Sequence, residues 1–201
     1  MQEPVSRTAS KSRKTKETAI KVSLDLDGSG ETEINTGLPF FDHMLAQLGR
    51  HAGVDLLVEA DGDLEVDAHH TVEDVGLVLG ECVNEALGDR SGIRRFSSIS
   101  VPLDEALVAV ALDISGRPYL DYVVPIAPDS PPLGEPGFDP QLAEEYWRAF
   151  VMNSAITLHV RLIEGRNIHH IIEASFKAVA RCLRDALCKD GSSVPSTKGV
   201  L

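Results

Sequence analysis

Polar and apolar residues alternate from Glu17 to Glu33, interrupted by Asp27-Gly28-Ser29-Gly30. A period of two around a glycine turn predicts a hairpin of two strands. Gly37-Leu38-Pro39 stops the strand. The spacing of Phe40, Met44 and Leu48 then predicts a helix over Phe40 to His51, with Gly53 beyond its end. Val54 to Ala60 reads as a strand closed by Asp61-Gly62, and a longer helix opens at His69 and runs to about Leu87, where Gly88 ends it.

The same order follows again. Ile99 to Val124 predicts a strand pair around Ser115-Gly116-Arg117-Pro118. Pro125 to Pro140 carries six prolines and two glycines, which predicts an exposed and partly mobile loop. Asp139 can cap a helix from about Pro140 to Asn153, since proline fits a first turn. Ala155 to Leu162 is a strand, Glu164 to Asn167 a turn, and a last helix runs from His169 to about Cys188.

At an offset of 100 the last helices of the two halves align Val72 with Ile172, Glu73 with Glu173, Leu79 with Val179, Val83 with Leu183 and Leu87 with Leu187. These apolar positions follow the rhythm of one buried helical face. The pattern implies an internally duplicated α+β chain, each half a small sheet covered on one face by two helices. The divisions expected are a tail over 1–15, a first half over 16–92, a second half over 93–190 and a C-terminal tail over 191–201.

Composition narrows this picture. A chain of 201 residues that is 43% hydrophobic can bury one large core or two small ones sharing a core. No run approaches the roughly 18 to 20 apolar residues that would span a bilayer. The basic N-terminus (Arg7, Lys11, Arg13, Lys14, Lys16) lacks the apolar core of a secretory signal and reads as a disordered tail up to about Thr15. A net charge of −12 argues against a nucleic-acid partner. The odd count of cysteines (Cys82, Cys182, Cys188) does not suit a disulfide framework and points to a reducing, cytoplasmic setting. Cys82 and Cys182 fall on apolar helical stripes, where cysteine acts as a small hydrophobe.

The chemistry is concentrated in two boxes. His69-His70-Thr71-Val72-Glu73-Asp74 returns one hundred residues later as His169-His170-Ile171-Ile172-Glu173-Ala174. Neighbouring residues on a helix lie about 100° apart, so two adjacent histidines do not readily reach one ion. Each box therefore suits one His and its Glu on one metal, with the other His turned toward a second. Imidazole and carboxylate without thiolate fit a first-row divalent ion such as Mn, Fe, Co or Zn. His43 adds a ligand on the first helix, and Glu145, about 24 residues before His169, occupies the equivalent slot of the second half. His51 is a weaker candidate, and His159 reads as a core or supporting histidine. Arg94, Arg95, Arg117, Lys177 and Lys198 are candidate anion holders. Lys177 stands where the first half has Leu77.

Seven segments carry a resemblance: Thr15–Thr18, Pro39–Leu45, the first box, Pro102–Ala106, Ser115–Pro118, the second box with Phe176–Ala178, and Pro195–Gly199. Together and in this order they resemble the imidazoleglycerol-phosphate dehydratase family. The resemblance implies a ribosomal protein S5 domain 2-like fold. It also implies dehydration of imidazole glycerol phosphate to imidazole acetol phosphate and water in histidine biosynthesis, with two Mn ions per active site. Active sites would lie between neighbouring subunits of a 24-subunit assembly. His43, His69, His70, Glu73, His169, His170 and Glu173 would be metal ligands. Glu17 would be an acid/base reaching into the site, with Glu73 and Glu173 as rivals. Arg95, Arg117, Lys177, Ser196 and Lys198 would hold substrate, chiefly its phosphate. Glu145 departs from the family pattern, which often has a ligand His there; its carboxylate either substitutes or leaves that metal to the other groups.

This set of parts suits the reaction. The C–H bond to be broken has no carbonyl beside it and is weakly acidic. Metals on both ring nitrogens would hold the imidazole as imidazolate, which can expel the hydroxyl through a diazafulvene-like intermediate, while a nearby carboxylate moves the proton. Two rival classes use similar ligands. A dinuclear metallohydrolase would release phosphate from simple esters. A metal-storage assembly would have no use for the Arg/Lys set or the Ser196-Thr197-Lys198 tail.

Overall fold

Alternation in Thr18–Asp25 puts Thr18, Ile20, Val22 and Leu24 on a buried face and Lys21 toward solvent. In the computed structural model, which describes residues 6–201, that strand is β2 of a four-stranded sheet. The first half runs β1 (Thr8–Lys14), β2 (Thr18–Asp25), β3 (Thr32–Asn35), α1 (Pro39–Ala52), β4 (Asp55–Gly62) and α2 (His69–Leu87). The second half repeats the order as β5 (Phe96–Leu103), β6 (Ala106–Asp113), β7 (Tyr119–Val123), α3 (Leu142–Ser154), β8 (Thr157–Glu164) and α4 (Ile168–Leu187). The sheets have matching strand orders, β1-β2-β4-β3 and β5-β6-β8-β7. In each, the last-named strand pairs parallel and the others antiparallel.

The duplication extends to the helix ends. An offset of 102 aligns buried Met44 with Tyr146, Leu45 with Trp147 and Leu48 with Phe150. It also aligns the left-handed C-caps, Gly53 and Ala155.

Two expectations need correction. The segment before Thr15 was expected to be a disordered tail, but Thr8–Lys14 is the edge strand β1, paired residue by residue with β2. Only Ala9 of this strand is buried apolar surface; Lys11 pairs with Glu85 and Arg13 with Asp74, both on α2. Charged residues at inward positions of an edge strand blunt further pairing, and they also disguise the strand in the sequence. The part of the tail over residues 1–5 lies outside the described residues. Second, β2 and β3 do not form a hairpin, because β4 lies between them. The Asp55 carboxylate accepts N–H bonds from Ser29, Gly30 and Glu31 at 2.8 to 2.9 Å, tying the glycine loop across the start of β4 and sending β3 to its far side. For the same reason Ser115–Pro118 is a link from β6 to β7, which pairs with β8. The hairpins are β1–β2 and β5–β6. The proline-rich loop is exposed over much of its length, as expected, and Phe138 near its end is fully buried, its ring 5.4 Å from Phe40 and 5.8 Å from Phe41.

The helices lie between the two sheets and meet across the halves, α2 against α3 and α1 against α4. Gly76 and Gly80 make the first contact close: an added Cβ would sit 2.7 Å from the Tyr146 carbonyl oxygen and 2.5 Å from that of Phe150. The equivalent of Gly76 is Phe176, whose ring packs 4.7 Å from Trp147 and 5.3 Å from Tyr146. This crossing of halves brings α1 of one repeat to the box of the other. Among the described residues no helix is long and apolar enough to cross a membrane.

A candidate metal centre at the helix starts

Asn167 caps α4, its side chain accepting the His169 N–H at 3.0 Å. The cap places both histidines in the first turn, their rings nearly perpendicular at 86°. His169 and Glu173 then share a face one turn apart, with Nε2 3.0 Å from Oε2. His43, carried on α1, brings its Nε2 to 3.6 Å from the same oxygen. Ligand atoms of His43, His169 and Glu173 all lie within 4.8 Å of one another. Lys177 holds the other Glu173 oxygen at 2.7 Å. Burial pushes the Glu173 carboxyl up, but the Lys177 ammonium, His169 and His43 more than offset this and hold it below the usual range. The group fits a divalent ion: two imidazole nitrogens and one ionised carboxylate converge, with no thiolate, and the histidines are reachable from solvent.

The first box is looser. His69 Nε2 is 3.9 Å from Glu73 Oε2, and Glu73 is half exposed. Glu145 does not complete it. Its carboxylate lies 3.6 Å from the Arg148 guanidinium, one turn along α3, and among the described residues it joins no group of converging ligands. Arg148 itself donates to Glu144 at 2.5 Å, so within this one chain the Glu145 carboxylate stands beside a guanidinium and apart from the first box.

The second histidines turn away to other partners. His70 Nδ1 is 3.1 and 3.2 Å from the two Asp63 oxygens, with Glu17 at 4.0 Å; the Asp63 carboxylate raises the His70 pKa. His170 Nδ1 is 2.8 Å from Glu105, which raises its pKa in turn. The bond to His170, with backbone N–H bonds from Asn167 and Arg166, holds the Glu105 carboxyl down at about 2. Asp63 and Glu105 are absent from the candidates read from sequence. Glu105 stands in the resembling segment Pro102–Ala106, whereas nothing sets Asp63 apart from other acidic turn residues.

The anion-holding candidates gather elsewhere. Arg95 donates to Asp113 at 2.7 and 3.2 Å and to the Pro195 carbonyl at 2.8 Å, stacked 4.4 Å over Phe96. Arg94 is engaged by Asp185 and Asp190. Arg117 bonds the Ser115 carbonyl, and the chain end at Leu201 lies against Gly116. Ser196 accepts the Lys198 N–H at 3.2 Å within an irregular tail. The Arg95 N–H bonds the Ala186 carbonyl in the last turn of α4, so this cluster and His169 sit at opposite ends of that helix, about 26 Å apart at the α-helical rise. Lys177 alone of the set is near the box. His51 bonds Gln47, and His159 is not a core residue but lies half exposed on β8, paired with Asp121. Cys82 and Cys182 are buried, each against a strand carbonyl (Val22 and Val110), and burial pushes both thiols up to about 11. A recess of about 740 Å³ runs over the first sheet, away from the histidines. An open groove between polar strand side chains lacks the convergent ligands of the helix starts.

The chain is similar to known proteins in sequence and in fold. Residues 36–183 match the family model described as imidazoleglycerol-phosphate dehydratase. The imidazoleglycerol-phosphate dehydratase of Acidothermus cellulolyticus is 55% identical over 196 residues, covering 97% of this chain and 93% of that protein. That of Acidiphilium cryptum is 53% identical over 200 residues, covering 98% and 100%. Among solved structures, the enzyme from Staphylococcus aureus superposes with a TM-score of 0.80 at 38% identity, covering 90% of this chain and 99% of that one. The enzyme from Pyrococcus furiosus, in complex with (S)-C348, gives 0.80 at 37%, covering 95% and 100%. With the histidine boxes, the duplicated sheets and these matches together, the chain belongs to the imidazoleglycerol-phosphate dehydratase family.

Proposed function

We propose that this chain is a metal-dependent carbon–oxygen lyase that dehydrates imidazole glycerol phosphate to imidazole acetol phosphate and water in histidine biosynthesis. We also propose that it works in the cytoplasm with two Mn ions per active site. The observation that carries the reading is the convergence of His43, His169 and Glu173 from two repeats, in a chain of this family. Bound divalent ions would supply Lewis acidity, holding the substrate's imidazole ring as imidazolate so that its electrons can expel the hydroxyl. His69 and Glu73, with the Nε2 atoms of His70 and His170, are the remaining candidate ligands.

The chain's own groups divide the other work. Glu173 is held by Lys177 and two histidines, which suits a fixed ligand. Glu17 is 59% exposed and lies 4.0 Å from His70, which makes it a mobile carboxylate beside a box and the candidate for moving the proton. Arg95, Arg117, Ser196 and Lys198 would hold the phosphate, with Arg95 pre-set by Asp113 and the Pro195 carbonyl. Those groups lie a helix length from His169 in the same chain, which favours active sites completed between neighbouring copies, in the 24-subunit assembly that the family resemblance implies.

The test is to strip the protein of metal and supply imidazole glycerol phosphate with and without Mn, following the keto product by absorbance and free phosphate by colour. Product that requires metal, with no phosphate released, is the expected result. Phosphate release would favour a hydrolase, and no product with metal present would overturn the reading. Glu17→Gln should bind metal but turn over slowly; full turnover would remove Glu17 from its role.

A further inference from the structure

Each box contains a second histidine that its own Glu cannot serve. In both copies that histidine meets a carboxylate from outside the box, His70 on Asp63 and His170 on Glu105, in each case through Nδ1. An ionised carboxylate can only accept, so the Nδ1 in each pair carries the hydrogen and, in the neutral ring, Nε2 keeps its lone pair; the exposed Asp104 carboxylate lies 3.9 Å from that of His170. The rings of His69 and His70 stand at 87° and those of His169 and His170 at 86°, so the two rings of each pair do not share a plane. The two carboxylates are not products of the duplication: Asp63 follows β4, whereas Glu105 sits in the β5–β6 turn. The same bond has thus been built twice from unrelated positions, which incidental surface pairing does not explain.

We infer that Asp63 and Glu105 are positioning residues that fix His70 and His170 in the Nδ1–H tautomer and aim each Nε2 at a divalent ion. This rests on the metal-dependent reading above. Carboxylates that bond the far nitrogen of a ligand histidine orient the ring and raise its basicity, and losing one commonly weakens metal binding about 10- to 100-fold.

The two clamps differ in a way that can be tested. Glu105 uses one oxygen for the N–H groups of Arg166 and Asn167 and the other for His170. In Glu105→Gln the amide oxygen can keep the backbone bonds, which puts the amide N–H₂ against His170 Nδ1. That nitrogen must then accept, and the proton moves to Nε2, where it blocks the ion. Asp63 offers both oxygens to His70 and has no second duty of this kind. Asp63→Asn can turn its oxygen to the ring and keep the tautomer, whereas Asp63→Ala cannot.

The experiment titrates the chelator-stripped full-length protein with Mn²⁺ alone and reads the free ion by electron paramagnetic resonance. Relative to wild type, Glu105→Gln and Asp63→Ala should weaken one class of site by about 10- to 100-fold, while Asp63→Asn stays close to wild type. A purely structural role for Glu105 predicts no loss in Glu105→Gln, because the backbone bonds survive. Wild-type affinity in both Glu105→Gln and Asp63→Ala would overturn the inference. If Glu105→Gln does not fold, the contrast between Asp63→Ala and Asp63→Asn decides alone, since the Asp63 carboxylate bonds only the His70 ring and holds no backbone N–H. A wild type that binds no Mn²⁺ would overturn the metal-dependent reading itself and the inference with it, an outcome distinct from tight binding that the variants leave unchanged.

Discussion

At the second box Glu173 is buried, with His169 and His43 near one oxygen and Lys177 on the other. At the first box Glu73 is half exposed, His69 is 3.9 Å away, and position 77 is a leucine. The helices start alike and carry the same histidines, so the difference lies in what the partner helix and the next turn bring. α1 presents His43 to α4, whereas the corresponding Glu145 on α3 lies 3.6 Å from Arg148, and among the described residues of this chain no third ligand converges on α2. Duplication thus kept the ligand frame, and substitutions outside the boxes made one copy a closed cluster and the other an open one. A closed cluster can hold an ion within one chain. An open one needs groups from elsewhere, which is where the proposed neighbouring copy enters.

The largest effect should come from removing the shared oxygen pair. Glu173→Gln deprives two histidines of their anionic partner and leaves Lys177 uncompensated, so metal content should fall and turnover drop by about 100-fold or more. The matching Glu73→Gln should cost less metal in a single chain, because that site is half open already. Elemental analysis beside a rate assay separates the two, and equal losses would erase the contrast.

Packing gives the next effect. Phe176→Ala empties a fully buried aromatic site and should cost about 3–5 kcal/mol. Gly76→Ala, at the equivalent position, forces a methyl onto the Tyr146 carbonyl and should cost about 1–3 kcal/mol. Urea unfolding of both variants measures this, and a neutral Gly76→Ala would show that α2 and α3 can part without cost.

A smaller effect is expected at 177 and 77. Lys177→Met should destabilise the metal-free protein by about 2 kcal/mol, by leaving a buried carboxylate short of a partner. Metal loading should recover part of that loss. Leu77→Lys adds a surface pair with half-exposed Glu73 and should change stability by about 0.5 kcal/mol or less. Melting curves with and without chelator test both.

The smallest effect is a pH dependence at Glu105. Its carboxyl is depressed to about 2 in the folded chain, against about 4.3 when unfolded, so the stability it contributes is present above about pH 4 and is lost as pH falls toward 2. Wild type and Glu105→Gln should therefore differ in urea midpoint near neutral pH and converge in acid. A constant gap would assign the difference to something other than ionisation.

What could be read in the sequence follows the range of the interactions. The helices were legible because periodicity and glycine ends are local, and the boxes because their i, i+4 spacing is local too. β1 was hidden because Lys11 and Arg13 face carboxylates on α2 instead of apolar surface. The separation of β2 from β3 is hidden because the glycine loop answers to Asp55, 25 residues beyond Gly30. Asp63 and Glu105 stayed out of sight because nothing near them in sequence names their histidine partners. The basic residues are singled out by type alone, and their distance from the histidines depends on the length of α4 and is invisible in composition.

The most direct test of the central claim is a Mn²⁺ titration of metal-stripped protein in the presence of imidazole glycerol phosphate, reading keto product at each ratio. Activity should rise from zero and level off at two ions per active site, with no free phosphate. Turnover without metal, phosphate release, or metal binding that never yields the ketone would contradict it.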